Sequence, residues 1–352
     1  MPVLFLWPFS GCDCRCAMCD IWQDRSRQEI SPEEVARWLD DWVALGVESV
    51  VLTGGEALLN RRLWEIVELV RARGIEVSLI SSGLSLHRHA ANIARHLSGV
   101  TFSLDGPPAV HDQVRGVPRA SDLLRRSVAA LADADPGFPM RGRCAVHRRN
   151  FRFLPETVRF ARELGLRKVS FIAADVSSEA FNRPGGWDDP RQQDVGLSAA
   201  ELPELLEQLD RLEEECGEEF AAGFISKPAE TLRTKLHGHY SAHNGLGAYP
   251  RFPCNAPWKS AVIGPDGTVR PCFFHEPYGN LRDGSTLLQI VNSTEARAFR
   301  SELDMDTDPT CKRCVSRYAL RHCACGMEHH PPGKVRGTAG TWGRSWVAAA
   351  PE

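Results

Sequence analysis

The chain has 352 residues, 43% hydrophobic and 25% charged, an ordinary balance for a folded protein with a sizeable core, and a length that suits about two domains. A net charge of -3 leaves no basic excess to neutralise phosphates, which argues against general nucleic-acid binding, and no apolar stretch approaches the ~20 residues of a membrane span. The N-terminus lacks the basic region and cleavage signal of a secretory peptide, so a cytoplasmic location is expected, where twelve cysteines serve metal sites rather than disulfides.

Residues 3–7 form an apolar run that reads as a first strand and leads into Gly11-Cys12-Asp13-Cys14-Arg15-Cys16-Ala17-Met18-Cys19. Cys12, Cys16 and Cys19 are spaced so that one short loop carries three thiolates, enough to hold three irons of a four-iron cluster and leave the fourth open. Cys14 falls between these ligands and is read as pointing away from the cluster, without a role. Ser31-Pro32-Glu33-Glu34 is a capping box that starts a helix whose apolar face is Val35, Trp38, Leu39, Trp42 and Val43. Strands follow at 48–53, 75–81, 99–104, 141–147 and 168–173, each with a helical segment behind it, which is the pattern of βα units building a parallel sheet. Residues 175–196 form a polar loop too long for an ordinary connector, and a helix then starts at the capping box Ser198 to Glu201. Residues 226–253 read as a helical or irregular linker, and 331–352, without periodicity, as a disordered tail.

The cysteine loop behind a first strand, together with Thr53-Gly54-Gly55-Glu56 at the end of the second, resembles the radical S-adenosylmethionine (SAM) enzymes. The resemblance implies an α/β fold with a partial (β/α)6 TIM-like barrel over residues 1–225 and active residues at the carboxyl ends of its strands. It also implies that the open iron chelates SAM, whose reductive cleavage releases a 5'-deoxyadenosyl radical. Met18 stands where the family more often has an aromatic residue, and still offers apolar surface to a cluster or an adenine edge. In the family, backbone atoms of the segment matching Gly54, Gly55 and Glu56 meet the SAM amino group, an approach that the missing glycine side chains permit. Alternation along the fourth strand sends Thr101, Ser103 and Asp105 to the lumen, and the Ser-Leu-Asp-Gly motif of related enzymes makes Ser103 and Asp105 ribose candidates. Ser82 either touches the ribose or caps the next turn. Arg143, on the lumen side of the fifth strand, is costly there without an anion; it is read as meeting the SAM carboxylate or substrate, or as an internal salt bridge to a barrel acid. Asp175, Asn182 and Arg183 are weaker substrate candidates at the same face.

A second cysteine set begins with Cys254 and Cys272, which bracket Gly267, and continues in Cys311-Lys312-Arg313-Cys314. Gly267 supplies a hairpin turn that brings the flanking cysteines together. The set resembles the auxiliary-cluster domains called SPASM and twitch, implying a small C-terminal domain over 254–330. A twitch-like domain with one auxiliary 4Fe-4S cluster on Cys254, Cys272, Cys311 and Cys314 is favoured over a domain with two clusters, because the position where the full SPASM pattern has its next cysteine is Leu320; a zinc site of the same four is the other alternative. Cys323 and Cys325 have three readings: an irregular second cluster, a catalytic hydrogen-atom donor, or unremarkable thiols.

The expected activity is that of a radical SAM oxidoreductase or epimerase acting on a small hydroxylated substrate such as a sugar, aminocyclitol or nucleoside. The polar lumen and the lack of a leader-binding segment before the first strand motivate that expectation. A flavodoxin or ferredoxin-type donor is the expected electron source, with no nucleic-acid or membrane partner. Two alternatives accompany it: radical modification of a ribosomally made peptide, and a non-catalytic iron-sulfur or zinc protein.

Overall fold

In the computed structural model, which describes residues 1–320, the alternating runs become β1 (Val3–Leu6), β2 (Ser49–Leu52), β3 (Glu76–Ser81), β4 (Val100–Ser103), β5 (Met140–Val146) and β6 (Lys168–Ala173). Cys323, Cys325 and the tail 331–352 lie outside the described residues. Between and after the strands run α1 (Pro32–Ala44), α2 (Leu63–Arg71), α3 (Ala90–His96), α4 (Pro108–Arg115), α5 (Ala120–Ala134) and α6 (Leu154–Glu163). These six strands pair in parallel in the order β6-β5-β4-β3-β2-β1, the partial barrel of an α/β fold.

The sheet does not stop at β1. Three further strands, β7 (Ser260–Ile263), β8 (Thr268–Arg270) and β9 (Gly279–Asn280), extend it, with β7 parallel to β1 and the other two antiparallel. The register pairs Val3 with both Ser49 and Ser260, so the carboxyl ends of β1, β2 and β7 finish side by side. The turn between β7 and β8 carries Gly267 at φ +82°, a left-handed conformation that suits glycine, and the added Cβ of any other residue would lie 2.8 Å from Asn280 Oδ1.

Strand periodicity sorts the two faces. Leu4, Leu6, Val50, Leu52, Phe102, Cys144 and Phe171 are buried in the large core shared with the helices. On the opposite face Phe5, Val51 and Val262 form a separate apolar group with Ile80, Phe273 and Tyr318. α1 begins at the predicted capping box, in which Glu34 N–H donates to Ser31 Oγ (3.2 Å) and Ser31 N–H to Glu34 Oε2 (2.8 Å). Its residues Val35, Trp38, Leu39 and Trp42 are buried, whereas Val43, at the rim of the apolar stripe in the last turn, is 49% exposed.

The long loop after β6 contains α7 (Asp189–Val195) and is followed by α8 (Leu202–Glu215), which buries Leu202, Leu205, Leu209 and Leu212. Residues 229–243 then run as one broken helix with a π-helical turn at Thr234–Gly238, anchored where Tyr240 Oη donates to the Val146 carbonyl at 2.6 Å. No helix among the described residues is long and apolar enough to cross a membrane.

Candidate active site

The cysteine loop leaves the carboxyl end of β1 and is held on three sides. At its start, Asn60, buried in a turn, donates to the Pro8 and Ile30 carbonyls at 2.8 and 2.9 Å, and Glu56 N–H donates to the Gly11 carbonyl at 2.9 Å. In the middle, Arg15 N–H and Ala17 N–H donate to the Arg115 and Val114 carbonyls, the otherwise unpartnered end of α4 (2.8 and 3.1 Å). At its far end the loop after β6 closes over it. Arg183 Nη2 donates to the Met18 carbonyl (2.6 Å), Arg191 Nη2 to the Ala17 carbonyl (2.8 Å) and Trp187 Nε1 to Asp20 Oδ2 (2.5 Å).

Within this cradle Cys16 is buried, and Cys12 and Cys19 are half-buried. Cys14, expected to point away, is instead buried, with its thiol within 4.8 Å of the Cys12 thiol and the Asp13 carboxylate. Burial pushes the Cys19 thiol up to about 12, while the Cys14 hydrogen bond and the Arg115 guanidinium draw Cys16 down to about 7. A thiol gives up its proton when it binds a metal, and the donor set of Cys12, Cys16 and Cys19 fits three irons with a fourth left open.

A Cβ on Gly54, whose φ is +114°, would lie 1.6 Å from the Trp7 ring, and one on Gly55 would lie 2.1 Å from the Gly11 carbonyl oxygen, so this chain itself fills the room the missing side chains leave. Glu56 is fully buried and accepts from Ser81 Oγ, Ser82 N–H and Ser82 Oγ, each at 2.9 Å. Burial, with the Asp13 carboxylate nearby, pushes Glu56 up to about 7. Ser82 Oγ also reaches Asp13 Oδ1 at 3.1 Å, which ties the start of the cysteine loop to β3.

A cavity of about 700 Å³ opens at the carboxyl ends of the strands, with Met18 and Cys19 in one wall and Cys254, Cys272, Cys311 and Cys314 in another. Gly54, Ser103, Asp105 and Arg143 line it, while Gly55, Glu56 and Ser82 lie behind the wall. Ser103 and Arg143 are register neighbours on β4 and β5 and form a polar flank. Phe5, Ile80, Val262 and Phe273 line it as well, so the lumen that reads as polar from β4 and β5 also carries an apolar patch. Asp105 is fully buried, ion-paired with Arg115 and accepting from Ala145 N–H at 3.0 Å, so its carboxylate already has partners within the protein. Arg183, whose guanidinium lies 3.7 Å from the Trp187 ring centroid, pairs with Asp175 at 3.0 Å, and Asn182 Nδ2 donates to the Asp20 carbonyl at 3.0 Å. All three candidates on this loop thus brace the cysteine loop while bordering the cavity.

The second thiol set is built on the β7–β8 hairpin and a short helix, Pro309–Arg313, whose first turn is capped by Asp308 Oδ1 accepting from Cys311 N–H at 2.6 Å. Arg317, buried and unforeseen in the sequence, donates to the carbonyls of Cys311 (2.7 Å) and Met305 (2.6 Å) and fixes the approach of Cys311 and Cys314. Burial pushes Cys272 up to about 11, and Cys311 and Cys314 upward as well. His275 Nε2 lies 3.3 Å from Cys311 Sγ. Four thiols facing one wall fit a closed cluster.

Comparison with known proteins matches residues 8–173 to the family described as the radical SAM superfamily, and residues 254–315 to SPASM, an iron-sulfur cluster-binding domain. The chain belongs to the radical SAM superfamily. As such it uses SAM, a SAM-binding 4Fe-4S cluster and an auxiliary iron-sulfur cluster. It is 28% identical over 297 residues to the PqqA peptide cyclase of Ruegeria pomeroyi, an alignment covering 82% of this chain and 72% of that protein. Among solved structures it is similar to Streptococcus suis SuiB bound to the precursor peptide SuiA, with a TM-score of 0.62, 16% identity and coverage of 90% of this chain and 72% of that one. It is also similar to anSMEcpe with bound AdoMet, with a TM-score of 0.65, 18% identity and coverage of 90% and 89%. Both likenesses establish the radical SAM fold.

These relatives correct the expected substrate. The expected small hydroxylated substrate is overturned: the relative above is a peptide cyclase, and the face read as polar from β4 and β5 carries Phe5, Ile80, Val262 and Phe273 as well. The expected hydrogen donors Cys323 and Cys325 lie outside the described residues.

Proposed function

We propose that this radical SAM enzyme modifies a peptide, removing hydrogen from a side chain inserted into the cavity between the two thiol sets and leaving a cross-linked or dehydrogenated product. The similarity to a PqqA peptide cyclase along 82% of the chain carries this reading, and a cavity of about 700 Å³ that is open at the strand ends accommodates an inserted side chain. When bound, the SAM-side cluster with SAM supplies a 5'-deoxyadenosyl radical, and the auxiliary cluster supplies an electron acceptor.

Cys12, Cys16 and Cys19 would hold the first cluster, and Cys254, Cys272, Cys311 and Cys314 the second. Gly54, Ser103 and Arg143 would orient SAM, with Arg143 offering its guanidinium to a carboxylate. Phe5, Ile80, Val262 and Phe273 would receive the apolar part of the peptide and exclude water from the radical. The reading divides the chain into a barrel over 1–225 and an auxiliary-cluster unit from 254 onward.

The test is anaerobic incubation with SAM, a reductant and short candidate precursor peptides encoded beside the protein. Formation of 5'-deoxyadenosine in step with a peptide lighter by two hydrogen atoms is the expected result. Steady SAM cleavage with every candidate peptide unchanged in mass would overturn it.

A further inference from the structure

Arg115 is 8% exposed, lies at the end of α4 and was not singled out in the sequence. Its guanidinium faces two groups at once: Nη2 is ion-paired with Asp105 Oδ2, and Nη1 donates to Cys16 Sγ at 3.4 Å. Asp105 is itself held rigidly. Its carboxylate accepts from Ala145 N–H (3.0 Å), its N–H donates to His111 Nδ1 (3.2 Å), and its carbonyl accepts from Asn150 Nδ2 (3.1 Å). The main chain of Arg115 grips the same loop, since its carbonyl accepts from Arg15 N–H at 2.8 Å. Gly116 ends the helix at φ +62°, where a Cβ would lie 2.6 Å from the Arg15 carbonyl oxygen. A buried, forked cation is thereby fixed against one thiol of the SAM-side set.

We propose that Arg115, oriented by Asp105, is a positioning residue for the SAM-side cluster that donates a hydrogen bond to the thiolate of Cys16 and raises the reduction potential of that cluster. Adding an electron to a thiolate-bound cluster increases negative charge in surroundings that screen it poorly. A guanidinium keeps its proton at any working pH, so its charge stabilises the reduced form more than the oxidised one. Hydrogen bonds to cluster sulfurs act in the same direction. Asp105 offsets part of the charge but fixes the planar fork, so that Nη2 meets the carboxylate and Nη1 meets sulfur. The inference rests on Cys16 being a cluster ligand and is independent of the peptide reading.

The experiment is an EPR-monitored redox titration of the reconstituted full chain, with the SAM-side signal identified by its change on adding SAM. Arg115→Met should keep the iron of both clusters and shift the reduction equilibrium of the SAM-side cluster by about tenfold toward the oxidised form, which is ~59 mV for a one-electron couple. Arg115→Lys, which keeps charge but loses the fork, should shift it by less, and the auxiliary cluster should not move in either variant. Loss of SAM-side iron in Arg115→Met with retention and a lowered potential in Arg115→Lys would also support the assignment. An unchanged potential in an iron-replete Arg115→Met variant, equal shifts in both clusters, or loss of SAM-side iron in both variants would overturn it and leave Arg115 as a structural ion pair.

Discussion

Glu56 is a wholly buried carboxylate that accepts hydrogen bonds from β3 and from the serine that follows it, and its own N–H holds the Gly11 carbonyl. Its job in the fold is to join the end of β2, the end of β3 and the entry of the cysteine loop. Burial raises it from an ordinary 4.5 to about 7, so across that window the folded chain keeps a proton that the unfolded chain has released. Its contribution is therefore fully present below pH 4.5, declines as pH rises toward 7 and is flat above. Glu56→Gln should flatten the fall in unfolding free energy between pH 5.5 and 7, roughly 1–2 kcal/mol, measured by anaerobic denaturant titration. Glu56→Ala should cost about 1–3 kcal/mol for each donor it orphans at Ser82. An alanine variant of unchanged stability but altered affinity for SAM would show instead that this carboxylate serves the cofactor.

The loop between β6 and α8 behaves as a clamp rather than as a connector. It carries two successive non-glycine residues in the left-handed region, Phe181 and Asn182 at φ +63°, a strain that persists only where surroundings fix it. Those surroundings are the cysteine loop itself, through Asp20, Met18 and Ala17. Arg183 is the pivot, with a side chain 0% exposed and paired to an Asp175 side chain 3% exposed. Removing one partner of a buried pair leaves the other charge uncompensated, at about 3–5 kcal/mol, so Arg183→Leu should lower the melting temperature and release SAM-side iron to a chelator before auxiliary iron. The double variant Asp175→Leu with Arg183→Leu should recover stability but not iron retention. Equal loss of iron from both sites would show that the clamp has no preference. The strands on which these loops sit were legible because β-branched runs and helical periods alternate locally, and the capping boxes at Ser31 and Ser198 mark helix starts over four residues. The clamp was not legible, since the Arg183 contact with Met18 spans 165 residues and leaves no local signal beyond the length and polarity of the loop. Arg115 escaped notice for the same reason: its partners Asp105 and Cys16 meet it only after α4 docks on the loop.

At the scale of the whole molecule, the division into a barrel and an auxiliary-cluster unit runs through a single sheet. β7 is four residues long and reads in the sequence only as part of a hairpin between cysteines, yet it lies beside β1 in parallel register and shares an apolar face with it. Phe5 of β1 meets Phe273 at 5.2 Å and Tyr318 at 6.5 Å between ring centroids. Arg282 Nε donates to Glu34 Oε1 of α1 at 2.7 Å, and Leu288 N–H to Asp41 Oδ2 at 3.0 Å. Without β7, β1 would become an edge strand with unpaired N–H and carbonyl groups, and the fully buried Phe5 would meet water. A chain ended after residue 253 should therefore be recovered mainly as aggregate, because a flat apolar edge pairs with other copies. The full chain with Cys254, Cys272, Cys311 and Cys314 replaced by alanine keeps the strand while losing the second set of thiols. It should stay soluble and monodisperse in size-exclusion chromatography, bind about four irons on the SAM side and still form 5'-deoxyadenosine. Recovery of the truncated chain as a soluble protein with that same iron content would mean that the barrel closes without β7, and that the second unit contributes its cluster but not its strand.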